Sequence, residues 1–203
     1  MAALGLRVYK FSYEASKPLI FSDRFLFLSM LSVPQRLLVL PEVKTLLESE
    51  TAHILEKRIL RDKLGSQSYA AQHFISMVSS GMHQFSFQDE TSLKLQAGQV
   101  GIFPKGIYTV SDLIAQDGEF ATILLFFSDE QVNLFLKEIQ AKPQRLETTP
   151  KAGILPLHEL LHPWLQTILS YKTLYGQSSQ LIHTKFLELL HLLQAQMMST
   201  YSI

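Results

Sequence analysis

The sequence contains no cysteine among its 203 residues. This absence excludes a disulfide framework, a thiolate nucleophile and a cysteine-based zinc site. Charge is also scarce and balanced, since 18% of the residues are Asp, Glu, Lys or Arg and the formal net charge is zero. A neutral chain has no long-range field to draw it towards nucleic acid or an anionic membrane. Composition therefore favours neither a disulfide-rich secreted protein nor a nucleic-acid-binding one.

Long hydrophobic runs are missing as well. No stretch reaches the roughly 18 uninterrupted apolar residues that a membrane span needs. The first residues, MAALGLRVYKFSYEASK, have no sustained apolar run and make a poor signal peptide. At 47% hydrophobic residues, the chain can still bury a substantial core. We expect a cytoplasmic protein with no membrane partner, built as one large domain or as a domain with a helical extension.

Most catalytic signatures are absent, with one exception. The sequence has no G-x-S-x-G elbow, no Walker motif and no dinucleotide-binding glycine pattern. His158, Glu159 and His162 do form H-E-x-x-H, which on a helix is typical of a zinc hydrolase with the glutamate as general base. Pro163 follows at once, where an active-site helix should continue. We expect two exposed histidines at the start of a helix, and keep the zinc-dependent enzyme as the alternative.

What the sequence does contain is a series of short apolar runs. The stretch MHQFSF alternates and places His83, Phe85 and Phe87 on one face, the period of a half-buried strand. Residues 121–127 are almost continuously apolar, which suits a strand covered on both faces. Residues 53–60 are ambiguous between strand and helix, and we favour strand. Short strands at this spacing predict a closed or sandwich-like barrel.

Two earlier segments are predicted differently. Pro41 can occupy the first turn of a short helix over residues 41–50, where its missing N–H is harmless. KLGSQS, at residues 63–68, predicts a loop.

A turn–strand–turn unit lies at the centre of the chain. Gly98, Pro104 and Gly106 form G-x5-P-x-G, which resembles the second motif of the cupin barrel. Two β-turns around an ordinary strand are the alternative. Metal-binding cupins carry a histidine where this sequence has Thr109, and the His-x-His pair of the first motif is missing beside His83. The resemblance implies a mainly β fold with α: a cupin-like (double-stranded β-helix or jelly-roll) barrel without metal or cofactor, followed by C-terminal helices.

The sequence changes character after residue 127. Ser128 and Gln131 make a capping box at the start of an amphipathic helix. We predict a barrel with an N-terminal extension and this helix over residues 1–140, a linker over 141–156, and a helical pair over 157–203. The pair comprises a helix at 157–175 and another from 178 or 179 to about 198. One broad apolar face of the last helix predicts either packing on the barrel or a dimer interface; it comprises Ile182, Phe186, Leu189, Leu190, Leu193 and Met197.

Four segments, in this order, resemble the N-terminal half of AraC-type transcription regulators, above all the branch with type III secretion activators. They are YAAQHFISMVSSG, LKLQAGQVGIFPKG, FATILLFFSDEQVNLFLKEI and SQLIHTKFLELLHLLQ. In that family a metal-free cupin barrel senses a small molecule or a partner protein, and the helices after it mediate dimerisation. The resemblance implies a homodimeric regulatory domain without catalysis. DNA would be reached only through a helix-turn-helix domain, and this chain has no basic recognition helix. A cupin-type enzyme, which would need a metal, is the alternative.

A barrel of this size can hold one small ligand. We expect an apolar cavity with a few polar groups, lined by His83, Phe85, Phe87, Phe103 and Tyr108. A core filled by the same rings is the alternative, and it would favour a protein effector.

Overall fold

The computed structural model of the protein describes residues 31–139, 152–171 and 179–200. Within these ranges the chain forms eleven strands, three α-helices and a short 3-10 helix at Leu37–Val39. The elements are β1 (Leu31–Val33), β2 (Val43–Glu48), β3 (Ala52–Ile59), β4 (Lys63–Ala70), β5 (His73–Ser80), β6 (Met82–Ser86), β7 (Ser92–Gln96), β8 (Gln99–Phe103), β9 (Gly106–Leu113), β10 (Phe120–Phe127), α1 (Asp129–Glu138), β11 (Gly153–Pro156), α2 (Leu161–Tyr171) and α3 (Ser179–Thr200).

The strands form two sheets that pack as a jelly-roll-like sandwich. One sheet has the order β1-β4-β9-β6-β7, and the other has the order β11-β8-β5-β10-β3-β2. β1 pairs with β4 in parallel, and the pairs inside the larger sheet are antiparallel. The mainly β fold with added helices agrees with the sequence prediction.

β10 lies inside the larger sheet, between β5 and β3, and all eight of its residues are buried. Leu124 and Phe126 belong to the apolar cluster between the sheets. Leu125 and Phe127 belong to the cluster on the opposite face, which the helices cover. Because successive side chains of a strand point to opposite faces, one strand serves both clusters. The predicted strand with two covered faces is confirmed.

The two C-terminal helices pack on the outer face of the larger sheet. Phe186 of α3 meets Phe127 of β10 with ring centroids 4.6 Å apart. Trp164 of α2 is 1% exposed. Its indole Nε1–H donates to the backbone carbonyl of Lys185, at 2.9 Å, and so ties α2 to α3.

A glutamine connects α1 to both neighbours. The Nε2 amide of Gln131 donates to Thr51 Oγ1 at 3.1 Å, and its Oε1 lies 2.8 Å from Nδ1 of His183 on α3. The helix begins at Asp129 as predicted, but Ser128 makes no side-chain capping bond. The predicted capping box is therefore wrong, since Gln131 is engaged elsewhere.

Two local predictions in the first part of the sandwich are also wrong. The segment assigned to a helix after Pro41 forms β2, which pairs with β3. The segment KLGSQS, assigned to a loop, forms most of β4, which pairs with β9. The strand predicted at residues 53–60 is confirmed as β3.

The predicted division of the chain meets the structure only in part. The N-terminal extension before residue 31, most of the linker and the turn before α3 lie outside the described residues. Residues 153–156 of the predicted linker form β11, which pairs with β8. The helix expected from residue 157 begins at Leu161. Among the helices that the structure describes, none has the length and hydropathy that crossing a bilayer requires.

Candidate functional site

A cavity of about 230 Å³ lies between the two sheets. Its lining comes from β3, β5 and β10 on one side and from β4, β6 and β9 on the other, with the segment after β1 at its edge. Much of the wall is aromatic, formed by Phe74, Phe85, Tyr108 and Phe126. The Tyr108 hydroxyl donates to the Pro104 carbonyl, so it is already engaged by the protein.

One end of the cavity is polar. His83 and Asp112 are directly opposite each other on β6 and β9, and Lys57 reaches them from the other sheet. The Lys57 ammonium forms an ion pair with Asp112 Oδ2. Nε2 of His83 lies 3.0 Å from Asp112 Oδ1. All three side chains are less than a tenth exposed, so the cluster is an internal link between the sheets.

The surroundings of the cluster set its charge. Burial opposes ionisation of Asp112, but the His83 ring and the Lys57 ammonium outweigh burial and lower the pKa of Asp112 to about 2. Burial also lowers the pKa of His83, because a charged imidazole would lose its hydration. At neutral pH the cluster therefore holds one ammonium, one carboxylate and a neutral imidazole, with no net charge.

The side chains of Ser76, His83 and Asp112 lie in a row, in the order of the serine, histidine and aspartate of a hydrolytic triad. Nδ1 of His83 lies 3.1 Å from Ser76 Oγ, which also lies 3.1 Å from Thr122 Oγ1. Ser76 is 0% exposed and is not part of the cavity wall. A substrate in the cavity would not reach its hydroxyl, so the serine orients the imidazole and is not placed as a nucleophile.

The five residues predicted to line a ligand site divide into two groups. His83, Phe85 and Tyr108 line the cavity. Phe103 lies behind it, stacked on Phe74 at 4.6 Å between ring centroids, and Phe87 packs edge-on against Tyr108. Part of the aromatic set therefore packs in the core and part encloses space, and the binding of a ligand by these residues stays a prediction.

Lys57 and Asp112 were missed by the sequence reasoning. Lys57 lies on β3 and Asp112 on β9, and both are buried. A charged residue on the inward face of a strand is the available signal, because such residues are rarely buried unless paired.

The residues predicted as a dimer interface are also divided. Ile182, Phe186, Leu189 and Leu193 are at most 3% exposed, and they pack in the cluster between α3 and its own sheet. Leu190 and Met197 remain partly exposed. The four buried residues therefore follow the first alternative, packing within their own chain, and the dimer interface stays a prediction.

The H-E-x-x-H motif does not lie within one helix. His158 and Glu159 precede α2, whereas His162 is its second residue, and all three are exposed. Pro163 is the third residue of the helix, where a missing N–H leaves no bond unmade. In the described ranges, no three His, Asp or Glu side chains come together as metal ligands.

Comparison with known proteins shows the relationships of this chain. Residues 73–200 match the family described as the ExsA N-terminal regulatory domain. No curated protein sequence matches the chain.

Three solved structures are similar to this chain at low sequence identity. Apo ToxT from Vibrio cholerae strain SCE256 is 11% identical, with a TM-score of 0.55 over 73% of this chain and 58% of that one. ToxT from Vibrio cholerae O395, bound to (E)-4-(8-methylnaphthalen-1-yl)but-3-enoic acid, is 10% identical, with a TM-score of 0.48 over 69% of this chain and 55% of that one. A cupin superfamily protein from Desulfitobacterium hafniense DCB-2 is 14% identical, with a TM-score of 0.37 over 42% of this chain and 75% of that one.

The chain therefore spans somewhat more than half the length of the ToxT chains. The predicted mainly β fold with C-terminal helices is confirmed, and apo ToxT shares it. Because the family match extends over well over half of its residues, the chain belongs to the ExsA N-terminal regulatory domain family, which is AraC-type and related to type III secretion activators.

Proposed function

We propose that this chain is the effector-sensing and dimerising part of a cytoplasmic AraC-type regulator, and that it performs no catalysis. The main support for this proposal is the position of the cavity. It lies on one face of the larger sheet, and the C-terminal helices pack on the opposite face of the same sheet. A small molecule fits the space between the sheets, and the helices on the outer face are the elements through which its binding would be transmitted.

The connection between the two faces is short. On β10, Leu124 and Phe126 line the cavity, while Leu125 and Phe127 support α3. A ligand that moves the first pair acts on the same backbone that positions the second pair. Packed interfaces of this kind shift between discrete arrangements and do not deform continuously, so a small displacement can change how the helices dock.

The homodimer remains part of the proposal, through a smaller surface than the sequence suggested. Leu187, Leu190 and Met197 are partly exposed on α3. We propose that they contribute to pairing with a second copy, which twofold symmetry would bring onto the same surface. DNA would then be contacted by a helix-turn-helix domain outside this chain.

A substitution that fills the cavity tests the effector proposal. Ala70 is 1% exposed and lines the cavity, so Ala70→Leu adds side-chain volume there. Small molecules that raise the unfolding temperature of the wild type should lose this effect in Ala70→Leu. They should keep it in Ala97→Leu, which makes the same change at an exposed position.

Hydrogen exchange supplies the second readout. Binding of such a molecule should change the exchange protection of residues 179–200, because that helix rests on the strand that lines the cavity. Molecules that stabilise all three proteins equally, or that leave this helix unaffected, would contradict the proposal.

A further inference from the structure

The polar end of the cavity has hydrogen-bonding capacity that residues 31–139, 152–171 and 179–200 do not use. The Lys57 ammonium has three N–H donors. Among the described residues its one hydrogen-bond partner is Asp112 Oδ2. Two donors of a nearly buried ammonium in the cavity wall therefore lack an acceptor within the described part of the chain. A group with a free lone pair, placed in the cavity, would satisfy one of them.

Asp112 and His83 offer the complementary capacity. Their atoms Oδ1 and Nε2 are 3.0 Å apart, yet within the described part of the chain neither makes an aligned hydrogen bond. Both side chains are more than nine-tenths buried and line the same cavity. A carboxylate oxygen accepts and does not donate, so Asp112 Oδ1 suits a ligand O–H or N–H.

The charge of the cluster limits what such a ligand can be. Lys57 and Asp112 neutralise each other, and Lys63, elsewhere in the lining, is paired with Glu42. A bound carboxylate would approach Asp112 as well as Lys57, and a bound ammonium would approach Lys57 as well as Asp112. Either would bring an unbalanced charge next to an ion pair whose two side chains are less than a tenth exposed. Arg36 also belongs to the lining, but it is exposed, so solvent screens its charge.

A hydroxyl group fits without this cost. Its oxygen accepts from Lys57 and its hydrogen points to Asp112, so one uncharged group satisfies both. The volume indicates the size: at about 30 Å³ per water, about 230 Å³ corresponds to roughly eight water volumes, the scale of a small molecule with one ring. The aromatic wall suits a ring or a short apolar chain on the rest of the molecule.

We infer that the cavity takes a small, uncharged, mostly apolar alcohol, in preference to a carboxylic acid or an amine of the same size. This inference rests on the proposed effector function and specifies the ligand class for the same site.

Four probes with a common phenyl ring test it: toluene, benzyl alcohol, benzoate and benzylammonium. Each is titrated into the whole chain at neutral pH, with binding followed by NMR shifts of the residues that line the cavity. Benzyl alcohol should bind most tightly, by about tenfold or more over either charged probe and by a smaller factor over toluene. Benzoate or benzylammonium binding as tightly as the alcohol would overturn the inference. Toluene binding as tightly as benzyl alcohol would also overturn the inference, because the polar cluster would then contribute nothing to the affinity.

A charge variant adds a directional check. Asp112→Asn leaves Lys57 without its counter-ion, so benzoate should gain affinity relative to benzyl alcohol. Asp117→Asn, the same change at an exposed position, should leave the ranking unchanged. An unchanged ranking in Asp112→Asn would contradict the assigned role of the ion pair. If that variant does not fold, as judged by circular dichroism, the wild-type ranking alone decides.

The outcomes also separate the two proposals. A ranking led by a charged probe contradicts the ligand class and leaves the effector cavity supported. If all four probes fail to bind at millimolar concentration, the cavity itself is not a small-molecule site, and the proposed function fails with the inference.

Discussion

A substitution at Leu189 distinguishes the two roles considered for the last helix, which are packing on its own sheet and pairing with a second copy. Its side chain is 0% exposed and lies in the cluster formed by α3 and the larger sheet. Leu189→Ala removes three side-chain carbons from this packed site and leaves a cavity behind. Such changes cost about 2–5 kcal/mol, and complete burial between two elements favours a value of about 3 kcal/mol. For a domain of this size each kcal/mol lowers the unfolding temperature by about 2–4 °C. We therefore expect a decrease of about 6–12 °C.

The matched control is Leu187→Ala, the same substitution on the same helix. Leu187 is partly exposed and is not part of the cluster against the sheet. We expect a loss of stability of less than about 1 kcal/mol. Thermal unfolding followed by circular dichroism gives both values, and sedimentation velocity at several protein concentrations gives the oligomeric state. Stability that depends on association changes with concentration, whereas packing within one chain does not.

One result would refute the packing described here. Suppose that Leu189→Ala keeps the wild-type unfolding temperature but sediments as a monomer where the wild type is a dimer. Leu189 would then face a second copy, and α3 would not be docked on its own sheet. Dissociation caused by Leu187→Ala alone would instead support pairing through the exposed part of the helix.

Two further predictions concern the backbone and the histidines. Gly81 and Gly98 both have positive φ, at +75° and +81°, but a Cβ on Gly81 would lie 2.3 Å from the Leu113 carbonyl oxygen, whereas nothing lies within 4 Å at Gly98. Gly98→Ala should cost about 1–2 kcal/mol in urea unfolding and Gly81→Ala clearly more; equal costs would show that the close approach at Gly81 is relieved easily. Burial lowers the pKa of His73 and of His83, so the unfolded chain binds protons that the folded chain does not. The free energy of unfolding should therefore be highest above about pH 6.5 and decrease as the pH falls below it; the same value at pH 7.5 and 5.5 would contradict this.

Strands were identified correctly where the local sequence pattern alone determines which residues are buried. In β6, His83 and Phe85 are buried while their neighbours are partly exposed, as period-two alternation requires. β10 was identified by the opposite pattern, a continuous apolar run, because it is covered on both faces.

Two strands were missed because their extended conformation depends on pairing with a neighbouring strand more than on their own residue types. β4 is mostly polar and exposed, and it is extended because β9 provides a partner for its backbone. β2 follows a proline that suits the start of a helix. It is nevertheless extended, because its backbone pairs with the neighbouring β3, and this pairing is not visible in the sequence of β2 itself. Propensity for a strand depends strongly on such context, so a single sequence indicates it poorly.

The polar part of the candidate site lay beyond local reading for a related reason. Lys57 and Asp112 are 55 positions apart in the chain, and neither belongs to a recognisable sequence motif. Only the packing of one sheet on the other brings them together. The last helix presents a similar difficulty, because it is apolar on more than one side and the sequence does not say which side its own sheet covers.

The position of Trp164 has a practical consequence for studying this protein in solution. It is the one tryptophan in the sequence, and it lies where α2 meets α3. All indole emission of the chain, excited selectively above the absorption of tyrosine, therefore originates from this junction. A buried indole emits towards the blue, and contact with water would move its emission towards the red. The intensity and colour of this emission thus provide a label-free optical record of whether the two helices stay together when any candidate effector is added.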